Sequence, residues 1–260
     1  MTRVYIHTFG CQMNEYDSQR MEAAVAEDGA FKLVNSEEAA DVIIVNTCSV
    51  RKHAEERAMS YVGRHIKTKK VIIAGCMAQN MKKDLKKQFP SIHAVAGTFR
   101  LYDMADIIKK GGLHADEGEA ADRRGLKRRG KVRDFTAVTR GCDNFCSYCI
   151  VPYVRGREKS RPLAEIKAEM EMLAKSGTKE ITLLGQNVNS YNDNGLNFSG
   201  LLRGLVKVEG IERLRFMTSH PKDLSEELIE TVAEEKKLCR HFHLPAQSGR
   251  QGSQIQGQPP

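Results

Sequence analysis

Residues 42–48 read Val-Ile-Ile-Val-Asn-Thr-Cys, and residues 71–76 read Val-Ile-Ile-Ala-Gly-Cys. Each stretch begins with four consecutive apolar residues and reaches a cysteine within three more positions. A continuous apolar run, rather than an alternating one, is typical of a strand that is covered on both faces of a sheet. The two stretches therefore predict buried parallel strands, each with a cysteine just beyond its carboxyl end.

The same pattern extends over the first 110 residues. Further apolar runs lie at Val4–His7 and Ala94–Ala96. Helices are predicted between the runs, at residues 15–27, 51–67 and 81–88. Strands that alternate with helices imply a doubly wound parallel α/β sheet, which we assign to residues 1–112. The glycine motifs of dinucleotide and P-loop sites do not occur in the sequence, so neither site is indicated.

Residues 113–134 are small or charged and lack apolar periodicity, which predicts a linker. Basic side chains are concentrated at its end: Arg123, Arg124, Lys127, Arg128, Arg129, Lys131 and Arg133. Such a run is either a solvated tether or a contact for phosphate groups, and the sequence leaves both interpretations open.

A second alternating series occupies residues 135–249. Its predicted strands are Phe135–Thr139, Ile181–Leu184, Leu214–Met217 and His241–Leu244. Its predicted helices are Leu163–Lys175, Leu201–Val208 and Leu224–Glu234. Four strands with three intervening helices predict the first part of a β/α barrel, and therefore an incomplete one. Residues 250–260 form a polar, aperiodic tail.

Three cysteines form the compact motif Cys142-Asp-Asn-Phe-Cys146-Ser-Tyr-Cys149, directly after the first barrel strand. Active sites of β/α barrels are built in loops at this end of the strands. A tetrahedral zinc ion would need a fourth ligand, and the next histidine is as distant as His220. An iron–sulfur cluster held by three thiolates keeps one iron open to a ligand from outside the protein. The motif therefore favours an iron–sulfur cluster over zinc or a redox dithiol.

A second cysteine triplet is dispersed along the N-terminal domain. Cys11, Cys48 and Cys76 each follow one apolar run, and the carboxyl ends of parallel strands share one edge of the sheet. The alternative interpretation is that the three cysteines are buried and serve only in packing, as free cysteines often do. Their repeated position in successive β/α units instead predicts a second three-thiolate cluster. Cys239 stands alone beside a predicted strand and is assigned to packing.

Composition sets the broad class. The chain has 260 residues, of which 40% are hydrophobic, and Lys+Arg exceed Asp+Glu by 41 to 33, a net charge of +8. It is globular, has no apolar run of membrane-spanning length, and starts without a signal sequence. We expect a cytosolic protein whose cysteines are ligands rather than disulfides, and the positive charge favours a polyanionic partner. The residue pattern shows no Ser/His/Asp triad and no paired carboxylates, so no catalytic side chain is assigned.

The motif at 142–149 resembles the radical S-adenosylmethionine signature. Together with the N-terminal triplet it resembles the methylthiotransferase family, specifically the bacterial branch that modifies tRNA. The similarity continues through further motifs: Thr8–Ser18, Asn46–Arg51, Gly75–Gln79, Val151–Glu158, Leu184–Tyr191, Thr218–Pro221 and His243–Gly249. It covers residues 1–249, whereas family members complete the barrel and add a small RNA-binding domain.

The resemblance implies insertion of a methylthio group at C2 of an N6-isopentenyladenosine beside the tRNA anticodon. It implies two [4Fe–4S] clusters, one on each triplet, and S-adenosylmethionine as a cofactor. Gln186, Asn187 and Asn189 follow the second barrel strand, where they could bind the cofactor or the base. The implied partners are tRNA and an electron donor such as flavodoxin or ferredoxin, and we expect a monomer without membrane association.

Three alternatives remain open at this point. One sister enzyme modifies a ribosomal-protein aspartate, although it usually has Pro-Lys-Asn where this chain has Gln12-Met13-Asn14. Another acts on threonylcarbamoyl-adenosine in tRNA. The third alternative is an inactive fragment that binds metal or nucleic acid. The incomplete barrel supports this alternative.

Overall fold

The computed structural model describes residues 1–116, 118 and 130–245 of the chain. They form two compact units. The N-terminal unit contains the described residues up to 118 together with Tyr153–Arg155, and the other described residues form the C-terminal unit. No helix of the described residues is both long and apolar enough to cross a membrane.

The described part of the N-terminal unit is built on one parallel sheet of six strands in the order β2-β1-β3-β4-β5-β6. The strands are β1 (Thr2–Thr8), β2 (Phe31–Leu33), β3 (Val42–Thr47), β4 (Lys70–Gly75), β5 (Ala94–Ala96) and β6 (Gly112–His114). Its helices are α1 (Gln12–Glu27), α2 (Lys52–His65), α3 (Cys76–Met81), α4 (Lys83–Gln88) and α5 (Met104–Lys110). The predicted parallel α/β fold is confirmed.

Helices cover both faces of this sheet, which explains the continuous apolar runs. Ile44 and Ile72 point to the face that packs against α1 and α5. Ile43 and Ile73, the alternate residues of the same strands, point to the face that packs against α2 and α3. The central strands are therefore apolar at successive positions over Val42–Val45 and Val71–Ala74, because successive side chains enter opposite cores.

The C-terminal unit contains a parallel sheet of three strands in the order β13-β10-β7 among its described residues. Its strands are β7 (Arg133–Ala137), β8 (Thr139–Arg140), β9 (Lys159–Ser160), β10 (Glu180–Leu184), β11 (Asn192–Asp193), β12 (Leu196–Asn197) and β13 (Arg213–Phe216). Its helices are α6 (Val151–Arg155), whose last three residues belong to the N-terminal unit, α7 (Leu163–Lys175), α8 (Phe198–Leu205) and α9 (Glu226–Glu234). Residues of α7, α8 and α9 pack with the sheet in one apolar core.

The predicted fourth barrel strand, His241–Leu244, is wrong, because these residues form no strand. The chain forms an isolated parallel bridge with β13, between Leu214 and Leu238, and Phe242 packs against Phe216 without forming a strand. Directly afterwards the N–H of His241 donates to the carbonyl of Cys239, at 2.7 Å. A hydrogen bond to a residue two positions earlier turns the backbone sharply and ends the ladder.

Other details differ from the sequence prediction, which does not include the helices α5 and α6. The helix predicted over 81–88 is divided at Lys82, whose positive φ of 40° ends α3 and starts α4. The sequence does not predict the short edge strands β2 and β6, because Phe-Lys-Leu and Gly-Leu-His contain no continuous apolar run. Strand β6 enters the predicted linker by two residues, and most of that linker's basic run lies outside the described residues.

Candidate functional site

The N-terminal cysteines lie at the carboxyl edge of the parallel sheet. Cys11 follows β1, Cys48 follows β3, and Cys76 begins α3 directly after β4. These three strands are adjacent, and the strand order reverses between β1 and β3. Ligands of open α/β sheets bind at such a reversal, beyond the carboxyl ends of the strands. Cys48 and Cys76 are buried, and Cys11 is exposed.

Two buried asparagines lock the loops that carry the first two cysteines. The Asn14 Nδ2 atom donates to Asn46 Oδ1 at 3.2 Å and to the Thr47 carbonyl at 3.0 Å. In return, Asn46 Nδ2 donates to the Asn14 carbonyl at 2.8 Å and to Ser18 Oγ at 2.9 Å. Both asparagine side chains are fully buried. This network fixes the start of α1 against the end of β3, and so fixes Cys11 relative to Cys48.

Glycines allow the cysteine loops to approach closely. Gly10 has φ 138°, and a Cβ atom there would lie 2.8 Å from Cys48 Cβ. Gly75 has φ 91°, and its Cβ would lie 2.6 Å from the Thr47 carbonyl oxygen. Only glycine adopts such backbone conformations readily. Larger residues at these two positions would push the three loops apart.

A buried ion pair lies among the same residues. Arg155 Nη2 donates to Asp17 Oδ2 at 2.8 Å, and the two side chains are 4% and 6% exposed. Burial raises the pKa of the Cys76 thiol, and the charge of Arg155 opposes that rise. Burial would lower the pKa of Arg155, but Asp17, Cys76 and Cys11 together hold it above its ordinary value. The pocket thus contains one permanent positive charge close to the cysteine sulfurs.

The second cysteine triplet follows β8 in a tight loop. Cys142 is 8% exposed, whereas Cys146 and Cys149 are partly exposed. The Cys149 N–H donates to the Cys146 carbonyl at 2.9 Å, and Phe145 has the unusual φ of 42°. This turn brings the last two cysteines of the motif together. Burial raises the pKa of Cys142 and of Cys149, and the neighbouring cysteines add to the rise.

Gln186 supports this loop from the end of β10. Its Oε1 atom accepts a hydrogen bond from the Gly141 N–H at 2.6 Å. Gly141 has φ 76°, and a Cβ atom there would lie only 2.1 Å from the Arg157 carbonyl oxygen. The Cys142 N–H donates to the Gly156 carbonyl at 3.2 Å. The position of Cys142 therefore depends on a glycine and on the Gln186 amide.

Asn187 and Asn189 differ in their surroundings. Asn187 is buried, donates to Asp223 Oδ2 at 2.6 Å and accepts from the His220 N–H at 3.2 Å. The Oδ1 and Nδ2 atoms of Asn189 are buried without a hydrogen-bond partner among the described residues. An unsatisfied buried amide costs about 1–3 kcal/mol, so it is poised for a polar ligand. Thr218 beside this loop has a strained φ of 72°, a feature common at functional sites.

Among residues 1–116, 118 and 130–245, no three His, Cys, Asp or Glu side chains are close enough to share a single metal ion. A four-iron cluster makes a different demand, because each thiolate binds a different iron. Both triplets fit that demand in their chemistry, with soft sulfur ligands of which Cys11 alone is exposed. Asn189 Nδ2 and Arg155 Nη1 are buried donors without a hydrogen-bond partner among the described residues.

Sequence reasoning missed the ion pair of Asp17 and Arg155, whose partners are separated by 138 positions. In the sequence, Asn14 and Asn46 stand out only as members of the family motifs Thr8–Ser18 and Asn46–Arg51. A polar residue within an otherwise apolar strand, as at Asn46, was the one available signal, because a buried amide must find partners.

Family profiles match both parts of the chain. Residues 3–97 match the profile described as uncharacterized protein family UPF0004, and residues 136–253 match the radical SAM superfamily. One similar solved structure is the radical S-adenosylmethionine methyltransferase TsrM from Kitasatospora setae, with a TM-score of 0.66 and 17% sequence identity. The alignment covers 96% of this chain and 60% of the TsrM chain. At that identity the similarity establishes the fold alone. In sequence, residues 136–253 are therefore similar to the radical SAM superfamily.

Over most of its length, the chain is also similar to proteins named tRNA-2-methylthio-N6-dimethylallyladenosine synthase. The relative from Thermodesulfovibrio yellowstonii is 46% identical over 95% of this chain and 59% of its own length. The relative from Geobacter metallireducens is also 46% identical, over 95% of this chain and 59% of its own length. The chain thus spans about three fifths of these relatives.

The asparagine network leads to a stability prediction. We expect Asn14→Ala to lower the free energy of unfolding by about 1–3 kcal/mol, because it removes the donor to the buried Asn46 Oδ1 and to the Thr47 carbonyl. Asn35→Ala, which alters an exposed asparagine of the same unit, should change it by no more than about 0.5 kcal/mol. Urea unfolding followed by circular dichroism measures both. Equal effects of the two substitutions would contradict the proposed lock.

Proposed function

We propose that this chain is the radical SAM part of a tRNA methylthiotransferase. Its product would carry a methylthio group at C2 of an N6-isopentenyladenosine beside the anticodon. The observation that carries the proposal is the pair of cysteine triplets: one lies beyond the carboxyl ends of parallel strands, and the other lies in a loop after β7 and β8. The similar synthases supply the substrate class.

We assign Cys142, Cys146 and Cys149 to a [4Fe–4S] cluster that binds S-adenosylmethionine through its open iron. When bound, this pair supplies a carbon radical, which suits an aromatic C–H bond that has no usefully acidic proton. The protein's part is to hold and shield the pair. Gln186 and Gly141 fix the loop of Cys142, and the positive φ of Phe145 shapes the turn between its partners.

Asn189 is the strongest candidate for a direct contact with S-adenosylmethionine. Its carboxamide has both a donor and an acceptor buried without partners, as a site for a polar ligand requires. Gln186 and Asn187 are already engaged by Gly141 and Asp223. These two residues would contribute to cofactor binding mainly by shaping the loop, because their hydrogen bonds to Gly141 and Asp223 already occupy part of each carboxamide.

We assign Cys11, Cys48 and Cys76 to a second [4Fe–4S] cluster, which would hold the sulfur to be transferred. Support comes from their position at the reversal of strand order and from the buried asparagine network around them. The chemistry needs a sulfur source separate from the radical source, and two independent triplets meet that need.

The remaining partners are part of the proposal. tRNA is the substrate, and an electron donor such as flavodoxin or ferredoxin reduces the radical-generating cluster. We place the protein in the cytoplasm, as a monomer without membrane association. The net charge of +8 fits a polyanionic substrate.

Iron content tests the two-cluster assignment. Anaerobic reconstitution should give roughly eight irons per chain, from two four-iron clusters. Cys142→Ala should remove about half of the iron, and Cys48→Ala the other half. The matched control is Cys239→Ala, which removes the one cysteine outside both triplets and should keep the full amount. Stoichiometric zinc without iron would exclude the radical mechanism, and full iron in Cys48→Ala would exclude the second cluster.

Cofactor binding tests Asn189. We expect Asn189→Ala to weaken S-adenosylmethionine binding about tenfold, the loss of one or two hydrogen bonds in a buried site. Asn192→Ala, three positions along at an exposed site, should bind normally. Anaerobic calorimetry on the reconstituted protein measures both affinities. An unchanged affinity in Asn189→Ala would remove this residue from the cofactor site.

Salt dependence of tRNA binding tests the basic run of the predicted linker. Neutralising five of its residues should weaken binding and lower the salt slope by about one for each lost phosphate contact: Arg123, Arg124, Lys127, Arg128 and Arg129. The control neutralises five exposed lysines of the C-terminal unit: Lys167, Lys175, Lys179, Lys207 and Lys236. Filter binding at several salt concentrations gives the slopes. Equal slopes for both variants would identify the run as a solvated tether.

A further inference from the structure

Arg155 has an unusual environment for a buried arginine. Its side chain is 4% exposed and forms an ion pair with Asp17 through Nη2, at 2.8 Å. Its Nη1 atom is buried and has no hydrogen-bond partner among the described residues. An ion pair that served stability alone would gain nothing from an unsatisfied donor, whose burial is costly.

The other groups whose charge acts on this guanidinium are cysteines. Besides Asp17, they are Cys76 and Cys11, two members of the N-terminal triplet. The charge of Arg155 lowers the pKa of the Cys76 thiol, and the charge of Asp17 raises it. Three thiolates in a mostly buried pocket bring negative charge that water cannot solvate, and a fixed positive charge there compensates it.

The fold holds Arg155 in this place. The segment Tyr153–Arg155 belongs to the N-terminal unit, although it follows the second cysteine triplet in the sequence. The Thr98 hydroxyl donates to the buried Val154 carbonyl. The next residue, Gly156, ends α6 with φ 78°, so the chain can leave directly after the arginine.

We propose that Arg155 is a positioning residue for the iron–sulfur cluster on Cys11, Cys48 and Cys76: its charge raises the reduction potential of that cluster, and its Nη1 donates to sulfur there. The inference rests on the proposed second cluster. Reduction adds one electron from an external reductant and makes or breaks no bond. A positive charge in a medium of low dielectric favours the more negative, reduced form.

The test isolates this cluster in the full-length chain. The parent is Cys142→Ala/Cys146→Ala/Cys149→Ala, which should bind roughly four irons per chain on the N-terminal triplet. Three variants are made in this parent. Arg155→Gln removes the positive charge, Arg155→Lys keeps it, and Asp17→Asn removes the opposing negative charge. Reduction by europium(II) chelates of graded potential is followed by electron paramagnetic resonance, and iron is counted in each sample.

We expect Arg155→Gln to lower the equilibrium constant for one-electron reduction at least tenfold, a shift of about 59 mV. Arg155→Lys should remain within threefold of the parent. Asp17→Asn should shift the potential in the opposite direction, because it leaves the positive charge uncompensated. A purely structural ion pair would not give shifts of opposite sign.

A further variant guards against misfolding. If Arg155→Gln does not fold, Asp17→Asn/Arg155→Gln removes both charges and leaves no unpaired ion. Its potential should still lie below that of the parent, because the variant also loses the proposed hydrogen bond from Nη1 to sulfur, which favours the reduced form. A parent without iron would refute the second cluster. A parent with iron whose potential is indifferent to Arg155, or shifts of the same sign in both single variants, would overturn this inference alone.

Discussion

The hydrogen bonds between Asn14 and Asn46 are the constraint on which the N-terminal site depends. They join the first turn of α1 to the end of β3 in the buried interior of the N-terminal unit. Because both amides are fully buried, neither can exchange its partner for water. The loops of Cys11 and Cys48 therefore have one relative position, and Gly10 and Gly75 allow the close approach that this position needs.

In the C-terminal unit, different groups hold the cysteine-bearing loop in place. Cysteines only a few positions apart need a local turn rather than a sheet edge, and the positive φ of Phe145 supplies it. Gln186 then ties the loop to the end of β10 through the Gly141 N–H. In both units, a carboxamide at the carboxyl end of a strand fixes a loop that carries cysteine.

Each candidate site contains a buried polar group without a hydrogen-bond partner among the described residues, which a bound ligand could satisfy. Most buried polar atoms in a folded protein are satisfied, so the exceptions are informative. The orphaned amide of Asn189 follows β10, and the orphaned Nη1 of Arg155 lies near the N-terminal cysteines. One suits a polar organic cofactor, and the other suits an anionic sulfur centre.

The sequence alone determined the parallel α/β fold and the grouping of six cysteines, because continuous apolar runs and cysteine spacing are local patterns. Only the tertiary structure decided that residues 241–244 form no strand, since a turn after Cys239 ends the ladder there. It alone paired Asp17 with Arg155 across 138 positions. Contacts between distant residues depend on how the elements pack, and no local spacing encodes them.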